Sequence, residues 1–392
     1  MNKNDNGFGS IRQRKDGRWE AHLQVGVLPN GKPDRVSVYG KSETEIKRKL
    51  KSLLRTGSES TSEQRKKTTL SEYIVSWLEK FKKNELKASS YDRLETIIKK
   101  HIVPFNGNIQ LQAITSLDIQ EHINTMKAEG YSYSSIKKVY EGYNAALRQA
   151  LYEDLIKKNP CYAVTLPHRD EIDLKEISIL NSDEELIFVN ETKRRYGNEK
   201  NVYRLGYAFI LILNTGIRIG EALALTWEKV DFHKRIIFIN ANIGLVKNRY
   251  KQDDSKNYIM VEGTTKSKSG NRKIPLNDEA LEALLELKKI TGGYKYVMST
   301  SKNRIITPHS IANTINCIYN HCGIEKRGIH ALRHTFASKL FQKNVDVKII
   351  SKLLGHNDVN ITYNTYIHLI EDHVTEAVAL LNASSSPKQQ SA

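Results

Sequence analysis

The sequence predicts a multidomain protein: a small three-stranded β-sheet plus helix, then an all-α domain, then a mixed α+β, mainly helical domain. Three observations support this prediction. The chain has 392 residues, more than one compact core usually holds. Two polar segments without apolar periodicity interrupt it, and the apolar pattern changes at each of them. We therefore predict domains over 1–56, 69–165 and 177–392, the last with a C-terminal tail, joined by linkers over 57–68 and 166–176.

The charge of the chain favours a polyanionic partner. Lys plus Arg number 61 and Asp plus Glu number 44, which gives a net charge of +17. Nucleic acid is favoured over a membrane, because the N-terminus has no signal-peptide pattern and the most apolar stretch, Tyr207–Leu213, is far shorter than the ~20 residues of a bilayer span. The three cysteines form no disulfide framework, which indicates a reducing, cytoplasmic setting.

The first domain has the pattern of three short strands and one helix. Turn residues separate the predicted strands Ser10–Arg14, Trp19–Val25 and Arg35–Tyr39. A capping box over 42–45 then begins a helix that packs on one face of the sheet. The other face carries basic residues, which could enter a DNA major groove or could simply be solvated. These residues are Arg12, Arg14, Lys15, Arg18 and Arg35.

The second domain shows helical periodicity throughout. Capping residues begin four predicted helices, at Thr69, at Ser89 or Ser90, at Thr115 or Ser116, and at Ser134 or Ser135. Pro104 is predicted to end the second helix. Several basic residues lie off the apolar stripes and could contact phosphates, although solvated side chains would give the same pattern. They are Lys99, Lys100, Lys137, Lys138 and Arg148.

The third domain mixes strands and helices. A helix is predicted from about Arg218 to Leu225, and a strand over Ile236–Ile239. The segments Met260–Lys266 and Arg272–Pro275 flank a Ser-Gly-Asn turn and predict a strand–turn–strand unit. The polar stretch between 240 and 258 predicts a long mobile loop. Four further helices are predicted over Glu279–Lys289, His309–Asn320, His330–Lys343 and Val347–Leu354.

Five motifs occur in order within the third domain. They are TGIRIGEALALTW (215–227), TTKSKSGNRKIPL (264–276), HALRHTFAS (330–338), LLGH (353–356) and ITYNTYIH (361–368). Together they resemble the tyrosine recombinase, or phage integrase, family, so the third domain is expected to have the fold of that family's catalytic domain. The second domain looks like the core-binding domain of the family. The first resembles the arm-type DNA-binding domain of integrases from phages and conjugative transposons.

Arginine suits the chemistry that this resemblance implies. Cleavage of a phosphodiester places negative charge on the equatorial oxygens of the transition state, and a protein without a metal must stabilise that charge with fixed donors. A guanidinium pairs two oxygens at once and stays charged. Arg218 lies two residues after Gly216, near a predicted helix start, and Arg333 lies in the H-x-x-R motif. Both are therefore candidate phosphate ligands.

Histidines accompany the two arginines. His330 and Arg333 are three residues apart on a predicted helix and so share one face. The resemblance gives His330 a role in taking the tyrosine proton or bracing the phosphate, and it makes His356, which follows a helix-ending glycine, a phosphate ligand. For His334 we favour a structural role.

The resemblance identifies Tyr366 as the nucleophile. A phenol has a pKa near ~10, so it needs a base or nearby positive charge to attack at neutral pH. Tyr366 begins a Tyr-x-His ending, as in the family. Tyr363 lies three residues earlier and could share its helical face, but a role in packing or at the surface is the simpler interpretation for it.

A lysine is expected to protonate the leaving 5′-oxygen, again by resemblance. Lys266 and Lys268 are both candidates and are two residues apart, so they would share a face of a regular strand. Lys268 directly precedes the Ser-Gly turn, which matches the family pattern better. Lys266, Arg272 and Lys273 could instead contact the DNA backbone.

The resemblance implies a site-specific recombinase that integrates or excises a mobile element. It would cut DNA through a 3′-phosphotyrosyl intermediate, pass through a Holliday junction and work as a homotetramer on core-type and arm-type sites of double-stranded DNA. Accessory DNA-bending or excision proteins are expected partners. The C-terminal segment Glu371–Leu381 could pack on its own domain or on a neighbouring protomer.

Other functions and ligands fit the sequence less well. A type IB topoisomerase and a non-catalytic DNA-binding regulator remain alternatives. No cofactor or metal is expected, because the chain has no nucleotide-binding glycine motif and the pair Cys317 and Cys322 has no second pair to complete a zinc site.

Overall fold

A computed structural model gives the fold. It describes residues 11–13, 19–27, 33–40, 42–55, 68–168, 178–250, 257–264 and 270–366. The chain divides into two compact units, Met1–Leu174 and Lys175–Ala392. The finer division into three domains and two linkers stays a prediction.

The first unit begins with a three-stranded antiparallel sheet. Strands β1 (Ile11–Gln13), β2 (Trp19–Val27) and β3 (Pro33–Gly40) pair in that order and are followed by helix α1 (Glu43–Arg55). Ala21 of the sheet and Ile46 of α1 are buried in one apolar cluster. Arg12 is exposed and forms an ion pair with Glu20 at 3.1 Å. Of the other basic residues predicted to contact DNA here, Arg14, Lys15, Arg18 and the side chain of Arg35 lie outside the described residues.

The rest of the first unit is helical. Its α-helices are α2 (Leu70–Trp77), α3 (Ala88–Ile97), α4 (Val103–Asn106), α5 (Ser116–Ala128) and α6 (Tyr133–Tyr152). They bury a shared apolar core that includes Trp77, Ile98, Tyr143 and Leu147. Lys99 forms an ion pair with Glu95 at 2.9 Å, and Lys100 is exposed.

Three predicted helix boundaries in this unit are wrong. The second helix starts at Ala88 and not at Ser89 or Ser90, because Lys87 already has the extended backbone of a cap residue. Pro104 does not end the second helix, because the chain widens to a π-helix over Ile98–Ile102 and α4 starts at Val103. Pro104 therefore lies in a first turn, where a missing backbone N–H costs little. The fourth helix is capped by Ser132, which accepts a hydrogen bond from the backbone N–H of Ser135 at 3.3 Å, and not by Ser134 or Ser135.

The second unit is mainly helical and carries two small sheets. Its helices are α7 (Ser182–Thr192), α8 (Tyr207–Thr215), α9 (Ile219–Ala224), α10 (Asp278–Thr291), α11 (Pro308–Cys322), α12 (His330–Gln342), α13 (Val347–Leu354) and α14 (359–366). Helix α8 is central, and every residue from Tyr207 to Leu213 is buried. None of the helices in the described part of the chain combines the length and the hydropathy of a membrane span.

The strands of the second unit pair differently from the prediction. Strands β4 (Val230–Asp231), β5 (Ile236–Ile239) and β8 (Arg272–Pro275) form one sheet, and β6 (Ala241–Lys247) pairs with β7 (Tyr258–Thr264) in another. The predicted strand–turn–strand unit across 260–275 is therefore wrong, since β7 and β8 belong to different sheets. The predicted loop between 240 and 258 is also wrong over β6, where Ile243 and Val246 supply buried side chains. Residues 251–256 lie outside the described residues.

Candidate active site

The turn between α8 and α9 positions Arg218. Gly216 ends α8 with a left-handed φ of 63°, and a Cβ at this position would lie 2.4 Å from the Phe336 ring. Arg218 then caps α9, because its backbone N–H donates to Glu221 Oε2 at 2.8 Å. Its side chain remains 35% exposed, so a ligand in solution can reach the guanidinium.

Glu221 is a carboxylate shared by two arginines. Its Oε1 accepts from Nη1 of Arg218 at 3.0 Å and from Nη1 of Arg272 at 3.1 Å, and its Oε2 accepts from Nη2 of Arg272 at 2.8 Å. The side chains of Glu221 and Arg272 are both 4% exposed. Burial raises the pKa of Glu221, but hydrogen bonds and charge from Arg272, and then from Arg218, bring that pKa below its usual value. The carboxylate therefore stays ionised and anchors both guanidinium groups.

Three arginines converge on the C-terminal end of α13. The backbone carbonyls there have no partner within the helix and carry partial negative charge, so they attract cations. Arg272 Nε donates to Leu353 O at 2.7 Å, Arg333 Nη2 to Leu354 O at 2.8 Å, Arg218 Nη1 to Leu354 O at 3.3 Å and Arg218 Nη2 to Gly355 O at 3.4 Å. The two contacts from Arg218 are the longest of the four, so an arriving anion would displace them at the least cost.

Arg333 lies deeper than Arg218. It is buried on α12, and its Nη1 donates to Gly216 O. Burial, followed by the charge of Arg218, lowers its pKa. His330 begins the same helix on the exposed side of the site, and partial desolvation followed by the charges of Arg333 and Arg218 lowers its pKa too. A bound phosphate would relieve this repulsion among like charges.

His356 follows directly after the end of α13. Gly355 stops the helix with a left-handed φ of 69°, and this turn brings His356 Nε2 to 2.9 Å from Arg333 Nη2. The other ring nitrogen, Nδ1, lies 2.7 Å from the Thr362 hydroxyl. Burial, and then the charges of Arg333 and Arg218, lower the pKa of His356 to about 4. The imidazole is therefore neutral at pH 7.

Tyr366 lies on α14 with its side chain withdrawn from solvent. Only 1% of its surface is exposed, and its ring packs 5.2 Å from that of Phe341. Its hydroxyl lies 2.7 Å from His334 Nδ1. Burial raises the pKa of Tyr366 and the charge of Arg333 lowers it, with burial the larger effect. Tyr363, one turn earlier on the same helix, is 42% exposed.

The structure brings some of the residues predicted for the site together and leaves others aside. Arg218, Arg333 and His356 belong to one hydrogen-bonded network at the end of α13. Lys266 and Lys268 lie outside the described residues. Arg272 is engaged with protein groups and is buried, and this argues against the DNA-backbone contact predicted for it.

Two polar contacts of the site histidines are not predicted by the sequence. Thr362 bonds His356, and its position four residues before Tyr366 was the available signal, since residues at that spacing share a helix face. The His334–Tyr366 hydrogen bond joins residues 32 positions apart, and no local pattern indicates it.

A basic cavity opens beside His356. It has a volume of about 740 Å³ and is lined by α13, β5 and β8. Its lining includes Lys229, Lys273, Lys348 and Lys352. Across the part of the chain that the structure describes, no cluster of three or more His, Cys, Asp and Glu side chains could hold a metal ion. The positive charge around the cavity suits a polyanion.

Comparison with family models identifies two segments. Residues 179–373 match the model described as the phage integrase family, and residues 69–127 match the phage integrase N-terminal SAM-like domain. Among curated proteins, the chain is 28% identical to a XerC-like tyrosine recombinase of Caldanaerobacter subterraneus, over 92% of this chain and 94% of that protein.

Solved structures share the fold. The Tn1549 transposon integrase in complex with transposon right-end DNA superimposes with a TM-score of 0.65 and 21% identity, covering 81% of this chain and all of the other. The lambda integrase tetramer bound to a Holliday junction gives a TM-score of 0.56 and 18% identity, covering 93% of this chain and 96% of the other.

Proposed function

This chain belongs to the phage integrase family of tyrosine recombinases, and from that membership we propose that it is a site-specific DNA recombinase in which Tyr366 is the nucleophile. The observation that carries the proposal is the convergence of Arg218, Arg333 and His356 at the end of α13. These groups would hold the scissile phosphate, with α14 supplying the tyrosine.

The proposed step is a transesterification that conserves the number of phosphoester bonds. The Tyr366 oxygen forms a bond to phosphorus and becomes a 3′-phosphotyrosyl ester, while the bond from phosphorus to the 5′-oxygen breaks. Lys268 would give the leaving oxygen its proton, and His330 would take the phenol proton or brace the phosphate. The 5′-hydroxyl of a partner duplex then reverses the step, which joins the two strands without a separate energy source.

The two arginines would stabilise the charge that develops in this step. In this structure, both guanidinium groups donate to carbonyl oxygens at the end of α13. These oxygens occupy the acceptor positions that a bound anion would take. Phosphate oxygens are stronger acceptors than carbonyls, so Arg218 would exchange its long contacts for charge-assisted ones. Fixed donors of this kind lower the barrier without reorganising during the reaction.

Tyr366 would need to move before it can react. Its hydroxyl is buried against His334, and its pKa is raised by that burial. Movement of α14 toward the arginines would expose the oxygen and place it in a strongly positive environment, which lowers the pKa of a phenol. DNA binding is the event we propose for this movement.

The basic cavity beside His356 would bind DNA phosphates next to the scissile one. Lys273, Lys348 and Lys352 are exposed there. We assign this cavity and the helical residues Lys99 and Lys100 to core-type sites, and the N-terminal sheet to arm-type sites.

The assembly is proposed by analogy with the lambda integrase tetramer on a Holliday junction. Four protomers would act together on two duplexes, with accessory DNA-bending or excision proteins as partners. The reaction would take place in the cytoplasm.

Trapping the covalent complex tests the proposal. A nicked duplex that carries the recombination site loses the short strand beyond the nick after cleavage, so the protein–DNA adduct accumulates. We expect an adduct at Tyr366, none with Tyr366→Phe, and full adduct with the matched control Tyr363→Phe. Peptide mapping of the adduct to Tyr363, or undiminished adduct with Tyr366→Phe, would refute the assignment.

A further inference from the structure

The imidazole of His356 has a defined partner on each nitrogen. Nε2 lies 2.9 Å from Arg333 Nη2, and Nδ1 lies 2.7 Å from Thr362 Oγ1. Thr362 is fully buried. The ring is therefore fixed between a guanidinium and a hydroxyl, on the edge of the site proposed for the phosphate.

The guanidinium decides which nitrogen carries the proton in this state. Arginine is a donor only, so Nε2 must accept, and the single proton of a neutral imidazole must be on Nδ1. Nδ1–H then donates to the Thr362 hydroxyl. A second proton on the ring is unfavourable here, because burial and the charges of Arg333, Arg218 and Arg272 oppose it.

A bound phosphate requires the opposite arrangement at Nε2. A phosphate oxygen is an acceptor, so it binds an Nε2–H and is repelled by an Nε2 lone pair. His356 must therefore gain a second proton or transfer its proton from Nδ1 to Nε2. In the doubly protonated ring, Nδ1 still carries a proton and needs an acceptor. In the ring protonated only on Nε2, Nδ1 has a lone pair and needs a donor. A hydroxyl serves both needs by rotating about its C–O bond, whereas a methyl group serves neither.

We propose that Thr362 is a positioning residue that holds His356 with Nε2 toward the arginines and lets the ring change its protonated nitrogen when a DNA phosphate arrives. The proposal rests on the proposed function, because it takes the phosphate to bind between Arg333 and His356. Thr362 and Tyr366 are four residues apart on α14 and so share a face of that helix. One helix thus carries both the nucleophile and the partner of His356.

The first test needs no DNA and no activity. Imidazole ¹⁵N shifts of the full chain, with His356 assigned through His356→Asn, report which nitrogen bears the proton. We expect the Nδ1–H form in the wild-type chain. In Thr362→Val, whose side chain has nearly the same shape, Arg333 still requires Nε2 to accept, but the Nδ1 proton loses its hydrogen-bond partner, so the Nδ1 shift should change and this proton should exchange faster with solvent. An Nε2–H form in the DNA-free wild-type chain, or an unchanged Nδ1 shift and exchange rate in Thr362→Val, would overturn the proposal whatever the chain does to DNA.

The second test uses the nicked duplex. Adduct formation by Thr362→Val should be about tenfold slower than in the wild type, the scale of one lost hydrogen bond in a site, while Thr362→Ser should remain within about twofold. In a His356→Asn background, Thr362→Val should cause no further loss. Equal losses in the valine and serine variants, or an equal loss with and without His356, would show a packing role instead. A wild-type chain that forms no adduct would count against the proposed function and leave the ¹⁵N result to decide the role of Thr362.

Discussion

The Tyr366 hydroxyl lies 2.7 Å from His334 Nδ1, so the proposed nucleophile has an imidazole as its direct partner. Burial, and then the charges of His330 and Arg333, lower the pKa of His334 to about 4, so this ring is neutral at pH 7. The phenol is protonated and its side chain is 1% exposed. The hydrogen bond therefore holds the tyrosine in a withdrawn position, and in the proposed mechanism it would break before cleavage.

Replacing His334 should loosen α14 without removing the chemistry. In His334→Ala the buried Tyr366 hydroxyl loses its hydrogen-bond partner. The loss should destabilise the conformation in which Tyr366 is buried by about 1–3 kcal/mol. We expect faster backbone hydrogen exchange over 359–366 and adduct formation at least as fast as in the wild type. His321→Ala, which changes an exposed histidine on α11, is the control. A large loss of adduct with unchanged exchange would instead give His334 a part in the reaction.

Gly355 should be less replaceable than another helix-ending glycine. Gly355 and Gly323 both have a left-handed φ, at 69° and 67°, so alanine carries the same backbone strain of about 1–2 kcal/mol at either position. A Cβ at Gly355 would also lie 2.7 Å from Arg272 Nη1, whereas nothing lies within 4 Å of one at Gly323. Gly355→Ala should therefore lower the free energy of unfolding in urea by more than Gly323→Ala. Equal losses would mean that Arg272 moves aside freely.

Local elements of the second unit were predictable because their signals are local. Strand Ile236–Ile239 and helix Val347–Leu354 have the predicted bounds, since an apolar run and a helix-ending glycine define them. Strand pairing was not predictable in the same way. Ile239 pairs with Arg272, which is 33 residues away, and such a register depends on what covers each face of the sheet.

The same distinction applies to the site. The motifs, through the resemblance that they carry, singled out Arg218, Arg333 and His356, and the structure joins these three side chains in one hydrogen-bonded network. The catalytic roles of these residues and of Tyr366 stay predictions. The burial of Arg272 was not visible, since it depends on Glu221 and on carbonyls of α13, which lie 51 and 81 residues away. An arginine among lysines in a basic motif looks like a surface cation until its contacts are known.

Arg272 and Lys273 should respond oppositely to substitution. Lys273 is exposed beside the basic cavity, so Lys273→Gln should weaken DNA binding. The slope of log affinity against log salt concentration should become less steep by about 1, the value for one lost phosphate contact. Arg272→Met removes one of the two arginines that pair with the buried Glu221 carboxylate and leaves only Arg218. The free energy of unfolding should fall by about 3–5 kcal/mol. The double variant Arg272→Met, Glu221→Leu should recover part of that stability. Filter binding across a salt series and urea unfolding check the two effects. A reduced salt slope with unchanged stability in Arg272→Met would restore the DNA contact first predicted for it.

Buried neutral histidines should make the chain less stable in mild acid. His122, His334 and His356 each have a pKa of about 4 in the folded state, lowered mainly by burial, against 6.5 as their ordinary value. Between pH 6.5 and 4 the unfolded chain binds protons at these positions and the folded chain does not. The free energy of unfolding therefore decreases as the pH is lowered, by up to about 1.4 kcal/mol per pH unit for each histidine. Carboxylates with lowered pKa, such as Glu184 and Glu221, lose their contribution only below about 4.5, so a fall between pH 6.5 and 5 reports the histidines. Urea unfolding of the second unit, which contains His334 and His356 but not His122, should show this fall at pH 7, 6 and 5. His356→Asn should reduce the slope, while the exposed control His233→Gln leaves it unchanged. A free energy of unfolding that is constant from pH 7 to pH 5 would mean that His334 and His356 take up protons in the folded chain.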